Sequence, residues 1–122
     1  MKILILEDAQ ERIEFFNRVY KNHTLFITDS LNYAQNLVKY KGIEFDIMFL
    51  DHDITTNDLI AIKEENTGYD FVKFLVADNL QKQSIIYIHS MNPVGANKML
   101  NLLKDNDYKA EWFPFHLMKE SE

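Results

Sequence analysis

Phe45-Asp46-Ile47-Met48-Phe49-Leu50-Asp51-His52-Asp53 is the stretch on which the fold turns. Its hydrophobic run, about residues 45–50, reads as a buried parallel strand. The strand delivers three ionisable side chains at its carboxyl end. Two other runs end in the same way. Lys2-Ile3-Leu4-Ile5-Leu6 runs into Glu7-Asp8, and Ser84-Ile85-Ile86-Tyr87-Ile88 runs into His89-Ser90. In an open α/β sheet, ligands bind just outside the carboxyl ends of the strands. Acids, imidazoles and a hydroxyl aimed at one spot are the pattern of a site.

Outward from these runs, strands and helices alternate. A helix over about 9–20 places Ile13, Phe16 and Tyr20 on one face. A second strand covers 24–28. Asp29 or Ser30 is a good N-cap for a helix carrying Leu31, Ala34, Leu37 and Val38, which ends near Gly42. A third helix covers about 68–80, and a fourth strand about 85–89. Asn92-Pro93 has the chemistry of a helix start, and the stripe Ala96, Met99, Leu100 and Leu103 follows. A fifth strand covers about 109–113. Residues 51–66 are long for a strand-to-helix connection, and loops of that length are often functional.

Five strands alternating with four helices predict a flavodoxin-like, three-layer α/β sandwich, with a parallel sheet of order 2-1-3-4-5. That order sets strands one, three and four side by side, so their polar ends converge. The whole of 1–122 reads as a single domain. The last helix is expected to be missing or reduced. Trp112, Phe113 and Phe115 are then either a homodimer contact at the C-terminal flank or covered by the tail folding back.

Composition narrows the function. The chain has 122 residues, 47% hydrophobic and 26% charged, which suits one soluble domain with a real core. There is no cysteine, so disulfides and thiolate metal sites are excluded. The start reaches acid too soon for a signal peptide, and no apolar run approaches the ~20 residues of a membrane span. Cytoplasmic location without membrane attachment is the expectation. The net charge of −6 argues against binding duplex nucleic acid. A small anion can still be held if a metal or helix terminus supplies positive potential.

The chain resembles the receiver domain of response regulators. The residues concerned are Glu7-Asp8, Asp51, Gly68-Tyr69-Asp70 and Ser90. In a receiver the acid pair and the aspartate hold Mg²⁺, and the aspartate accepts a phosphoryl group. A receiver also carries a lysine just before the proline after strand five; here Phe113 precedes Pro114. That departure counts against an ordinary phosphoacceptor. His52 replaces the usual hydrophobic neighbour of the aspartate, Asp53 is added, and His89 precedes the hydroxyl. These departures resemble the cyclic-phosphate-processing receiver family, found often in phages and bacteria. The matching pieces are Leu6-Glu7-Asp8 with Arg12, Leu50-Asp51-His52-Asp53, Gly68-Tyr69-Asp70, and Ile88-His89-Ser90-Met91-Asn92-Pro93-Val94-Gly95-Ala96.

The resemblance implies a metal-dependent phosphoesterase acting on a cyclic phosphate: a cyclic nucleotide, a cyclic oligonucleotide signal or a 2′,3′-cyclic end of RNA. For a phage-encoded chain, working in the host cytoplasm, destroying a defence signal is a fitting role. Such a reaction needs neutralised phosphate charge, an activated nucleophile and an acid for the leaving alkoxide. Glu7, Asp8 and Asp51 suit Mg²⁺ or Mn²⁺, and a histidine ligand would favour Mn²⁺ or Zn²⁺. His89 and His52 take the acid and base roles. Asp53 orients a histidine or joins the metal shell. Ser90, Asn92 at its helix start, and Arg12 address the phosphate.

Each residue has a plainer reading. Asp8 could cap the first helix, His52 could pack against the loop, and His89 could be a satisfied half-buried histidine. Together, four acids at one sheet edge (Glu7, Asp8, Asp51 and Asp53) repel one another unless a cation or protons relieve them. The alternative to an enzyme is a catalytically silent pseudo-receiver that binds a partner protein or nucleotide through the same face.

Overall fold

Alternate residues of the inner strands point to opposite faces of the sheet, and both faces are buried. The computed structural model describes residues 1–53 and 67–121. The strands are β1 (Lys2–Leu6), β2 (Thr24–Thr28), β3 (Ile47–Leu50), β4 (Ile85–Ile88) and β5 (Lys109–Trp112). All pair in parallel, in the order β2-β1-β3-β4-β5. The helices are α1 (Gln10–Val19), α2 (Leu31–Gln35), α3 (Gly68–Ala77), α4 (Pro93–Asp105) and α5 (Phe115–Glu120).

One sheet face carries Leu4, Leu6, Met48, Leu50, Ile86 and Ile88, which pack with buried residues of α2, α3 and α4. The other carries Ile3, Ile5 and Phe49, which pack with Phe15 and Phe16 of α1 and Phe115 and Met118 of α5. Fully burying each such side chain contributes roughly 1.5–3 kcal/mol. A one-residue register slip would exchange the two faces.

The fold is the one expected, with two local differences. The second helix widens after Gln35 into a π-helical turn, Asn36–Tyr40, in which Lys41 N–H reaches Asn36 O. Both Leu37 and Val38 are buried by that turn. The third helix stops at Ala77 rather than 80, because Asn79 and Gln81 take positive φ. Asn is among the few residues that tolerate this. The last helix, expected to be missing or reduced, is reduced to six residues. It begins after Pro114 and seats Phe115 and Met118 in the α1-side core. The tail therefore folds back over the C-terminal flank, and the exposed surface invoked for a dimer is covered at Phe115.

The irregular segment expected over 51–66, with its apolar patch Leu59–Ile62, lies from residue 54 onward outside the described residues. Among the described residues, no helix is long and apolar enough to cross a membrane.

Candidate functional site

Register decides which polar groups meet. Leu6, Leu50 and Ile88 are partners across β1, β3 and β4. The ladder continues one residue further, with Asp51 N–H on Leu6 O and His89 N–H on Leu50 O, both at 3.1 Å. Glu7, Asp51 and His89 therefore form one row. Leu6, Leu50 and Ile88 face the α3–α4 side, so alternation turns the next row toward α1. All three side chains are buried, and one ligand atom from each lies within 4.8 Å of the others.

Glu7 is held by four donors. Its Oε2 accepts the N–H of Asp8 at 2.9 Å and of Ala9 at 3.0 Å. Its Oε1 lies 2.8 Å from His89 Nε2 and 3.5 Å from Arg12 Nη1. Burial pushes this carboxyl up, but the His89 bond and charge, the Ala9 N–H and Arg12 outweigh it and bring it down to about 2. Asp51 goes the other way. Burial, with the Glu7 charge beside it, raises its carboxyl to about 6, against the pull of His89, the His52 N–H and Arg12. Its Oδ1 accepts the His52 N–H at 2.8 Å, and its Oδ2 is 3.6 Å from Arg12 Nη1. The repulsion among the acids is thus relieved by one guanidinium, an imidazole and a raised carboxyl.

His89 is wholly buried, with its ring 5.3 Å from that of Phe16, edge to face. The partner of Nε2 is a carboxylate, so Nε2 carries the proton that faces it. Nδ1 is buried with no hydrogen-bond partner. His89 can ligate a metal through Nε2 only by giving up its bond to Glu7.

A cleft of ≈ 380 Å³ opens above the row, lined by Glu7, Asp8, Arg12, Asp51, Asp53 and the segment Ser90–Asn92. Among the lining residues described, Arg12 is the sole cation. A wider hollow of ≈ 740 Å³ lies at the other end of the sheet, beside Lys2, Thr24 and Asp46. It borders the amino ends of β1 and β2, away from the strand ends where α/β folds bind ligands.

A match to the family model of the cyclic-phosphate-processing receiver domain covers residues 2–105. The chain belongs to that family. No curated protein matches the chain. Solved structures with the same fold include the signal receiver domain of a LuxO repressor protein from Vibrio parahaemolyticus, at TM-score 0.65 and 12% identity over 98% of this chain and 85% of that one. Another is the chemotaxis protein CheY4 of Vibrio cholerae, at TM-score 0.64 and 13% identity over 98% and 93% of the two chains. A third is a CheY-like receiver domain from Methylobacillus flagellatus, at 0.63 and 19% over 93% and 85%. At such identities they share the fold alone.

In this cyclic-phosphate-processing receiver, the two histidines part company. His52 follows the Asp51 row by one residue, so it turns to the α4 side. A Cβ built on Gly95 would lie 2.4–2.6 Å from the His52 ring, so glycine there makes room for the imidazole. His52 Nδ1 is 2.9 Å from Asp53 Oδ1, and Asp53 in turn reaches the cleft. His89 sits behind Glu7. Neither imidazole lines the cleft among the described residues, whereas Asp51, Asp53, Arg12, Ser90 and Asn92 do. Asp8 lines the cleft too, and it is not the cap of α1: Ala9 takes that place, and Glu7 Oε2 accepts its N–H.

The start of α4 offers an anion less than its sequence suggests. Asn92 N–H goes to Ser90 Oγ at 3.0 Å, Pro93 has no N–H, and Gly95 N–H goes to Asn92 Oδ1 at 3.2 Å. The Val94 N–H remains. Ser90 Oγ, which accepts from Asn92, keeps its own proton to donate.

Gly68, quoted above as part of a family motif, and Trp112, placed above at the C-terminal flank, also shape the site. Gly68 packs so closely that a Cβ would fall 1.8 Å from Asp51 O. Its N–H reaches His52 O at 2.8 Å, and Thr67 with Asp70 forms a capping box at the start of α3. Gly68-Tyr69-Asp70 thus docks α3 on the strand end that carries Asp51. Trp112 Nε1 donates to Ser90 O at 2.8 Å and steadies the β4 end. Strand parity was the signal available for sorting His89 from His52.

The donor set fits a divalent cation. Carboxylate oxygens of Glu7 and Asp51 converge at the cleft floor, Asp8 lines the wall, and His89 Nε2 lies within the same 4.8 Å span.

Proposed function

We propose that this chain is a metal-dependent phosphoesterase that hydrolyses a cyclic phosphate, acting as a single domain in the cytoplasm, or in a host's cytoplasm if phage-encoded. The observation that carries the reading is the buried row Glu7, Asp51 and His89 at the floor of a cleft walled by Arg12 and Ser90. Membership of the cyclic-phosphate-processing family supports the reaction class.

Glu7, Asp8 and Asp51 would hold Mg²⁺ or Mn²⁺, and Zn²⁺ becomes competitive if His89 contributes nitrogen. A divalent ion there supplies Lewis acidity at a phosphate oxygen and lowers the pKa of bound water. Arg12 neutralises a phosphate oxygen, and the free proton of Ser90 donates to another. Asn92 aligns the segment through its cap. Of the two imidazoles, His52 acts as acid or base through Asp53, which reaches the cleft, and His89 acts by holding the metal-ligating Glu7 ionised and aimed through its bond to Oε1. Asp53 then orients His52 and passes its proton, while Asp51 Oδ2 faces the reacting phosphate.

One observation favours a second reading. Glu7 has donors on both oxygens, and neither histidine lines the cleft among the described residues. A silent pseudo-receiver that binds a partner or nucleotide would need no more than this.

The experiment is hydrolysis of cyclic mono-, di- and trinucleotides and 2′,3′-cyclic monophosphates in EDTA, Mg²⁺ and Mn²⁺. Asp51→Asn and His89→Ala run alongside. The enzyme reading expects turnover that needs the metal and is lost in both folded variants. Absence of turnover on every substrate and metal would sink it in favour of the binding module.

A further inference from the structure

The strengths of the four contacts to Glu7 are unequal. Three are short hydrogen bonds of 2.8 to 3.0 Å. The fourth, from Arg12, is an ion pair at 3.5 Å, longer than an ordinary N–H···O bond. The same Nη1 is 3.6 Å from Asp51 Oδ2, whose other oxygen is held by the His52 N–H. A carboxylate offers about four lone-pair sites. Among the described residues, one site on Glu7 Oε1, and those of Asp51 Oδ2, are therefore addressed by the Arg12 guanidinium alone, at ion-pair rather than hydrogen-bond distance. Its carbon rests 5.1 Å from the centre of the Phe115 ring, at the helix α5 side of the cleft.

The geometry points to Arg12 as a displaceable counter-ion: it occupies the oxygens that a divalent cation needs, and the cation's arrival turns it outward to receive the phosphate. This rests on the metal-binding part of the reading above and adds an order of events to it. A unit charge and a double charge cannot share the same carboxylate oxygens without strong repulsion. The cation contributes more charge at the same place, so it wins the oxygens and Arg12 leaves. The guanidinium does not have far to go. Phe115 supplies a ring face that favours a cation, and the Ser90–Asn92 wall closes the opposite side. Cation and phosphate then bind cooperatively, each raising the other's affinity by the same factor. Arg12 is a positioning residue for the cation and a direct ligand for the phosphate.

The test uses the full chain and two probes. Mn²⁺ is titrated by calorimetry and by its EPR signal into wild type, Arg12→Gln, Arg12→Lys and Arg18→Gln. Arg18, in the last turn of the same helix, controls for net charge. Inorganic phosphate is then titrated with and without Mg²⁺. The expected result is Mn²⁺ affinity about tenfold tighter in Arg12→Gln. Arg12→Lys and Arg18→Gln should stay near wild type, and the gain in phosphate affinity on adding Mg²⁺ should be smaller in Arg12→Gln than in wild type. Unchanged or weaker Mn²⁺ binding in Arg12→Gln overturns the proposal, as does equal tightening in Arg18→Gln. Arg12→Met, which keeps the stem against Phe115, reads the same quantity should the glutamine variant not fold. Failure of Mn²⁺ to bind any variant overturns the metal reading itself, which is a different result from binding that ignores Arg12.

Discussion

Replacing Asp51 with asparagine should make the protein more stable at neutral pH while abolishing its metal site. The carboxyl has an ordinary value of 3.8, taken as that of the unfolded chain, and burial raises it to about 6 in the folded one. The folded state therefore holds the proton more tightly. The stability linked to that proton is fully present below about pH 4 and is lost as pH rises through about 6. Above that, a charge must be kept out of water. A shift of about 2 units corresponds to ~3 kcal/mol. Asparagine has nearly the same shape, keeps an acceptor for the His52 N–H and carries no charge. It forgoes the Arg12 ion pair at 3.6 Å, which at such a distance offsets part of the gain. The expected net gain is ~1–3 kcal/mol at pH 7.5 in EDTA, shrinking toward zero by pH 4. The assay is urea unfolding from pH 4 to 8, followed by the fluorescence of Trp112, the one tryptophan in the chain, and by circular dichroism. Adding Mn²⁺ should stabilise wild type and leave the variant unmoved. A variant less stable at pH 7.5, or a difference that does not change with pH, would refute the reasoning.

Four further outcomes follow from the contacts described above. His89→Ala removes a short bond from a buried carboxylate and leaves a void. It should cost ~3 kcal/mol by urea unfolding, with His89→Gln recovering part through its amide donor. Glu7, held down to about 2 from 4.5, stabilises the fold above pH 4.5 and loses that contribution as pH falls toward 2. Acid unfolding should accordingly move to higher pH in His89→Ala. The two packed glycines should differ. Gly68→Ala meets the Asp51 backbone at 1.8 Å and should cost ~3 kcal/mol or more, because backbone must move. Gly95→Ala meets the base of the His52 ring at 2.4 Å, so the imidazole must turn away; alanine's better helix propensity offsets ~1 kcal/mol, so the cost should be below that of Gly68→Ala while the His52 NMR shifts move. Asn92→Ala should cost ~1 kcal/mol through the lost cap, seen as a lower urea midpoint.

The pattern of apolar runs was enough for the topology. β1 and β2 sit at the residues expected, and β4 and β5 differ only at their last residue. β3 begins two residues late. Phe45 gives its N–H to the Gln81 side chain, off the ladder, whereas Asp46 still bonds both neighbouring strands, its N–H to Lys2 O and its O to Ile85 N–H, while its carboxylate takes the Lys2 N–H. Gln81 lies 36 positions from Phe45, a separation no local pattern reports. The sequence leaves α5 open between missing and reduced because six residues carry little periodicity; packing of Phe115 and Met118 on Phe15 and Phe16 makes it a helix.

The candidate site divides along the same line. That Glu7, Asp8, Asp51, His52, Asp53, His89 and Ser90 gather at one sheet edge is a consequence of strand ends, and strand ends are written in local hydrophobicity. Which of them touch is a matter of register and side-chain parity. The row beyond Leu6, Leu50 and Ile88 faces α1 and joins Glu7, Asp51 and His89 to Arg12. The next row faces α4 and sends His52 to Gly95. The sequence by itself determined the layers, the strand order and the edge at which chemistry is concentrated, because burial of apolar strands dominates the folding free energy. Tertiary structure alone decided the pairings, and with them the opposite shifts of Glu7 and Asp51, because desolvation and charge depend on neighbours brought from distant parts of the chain.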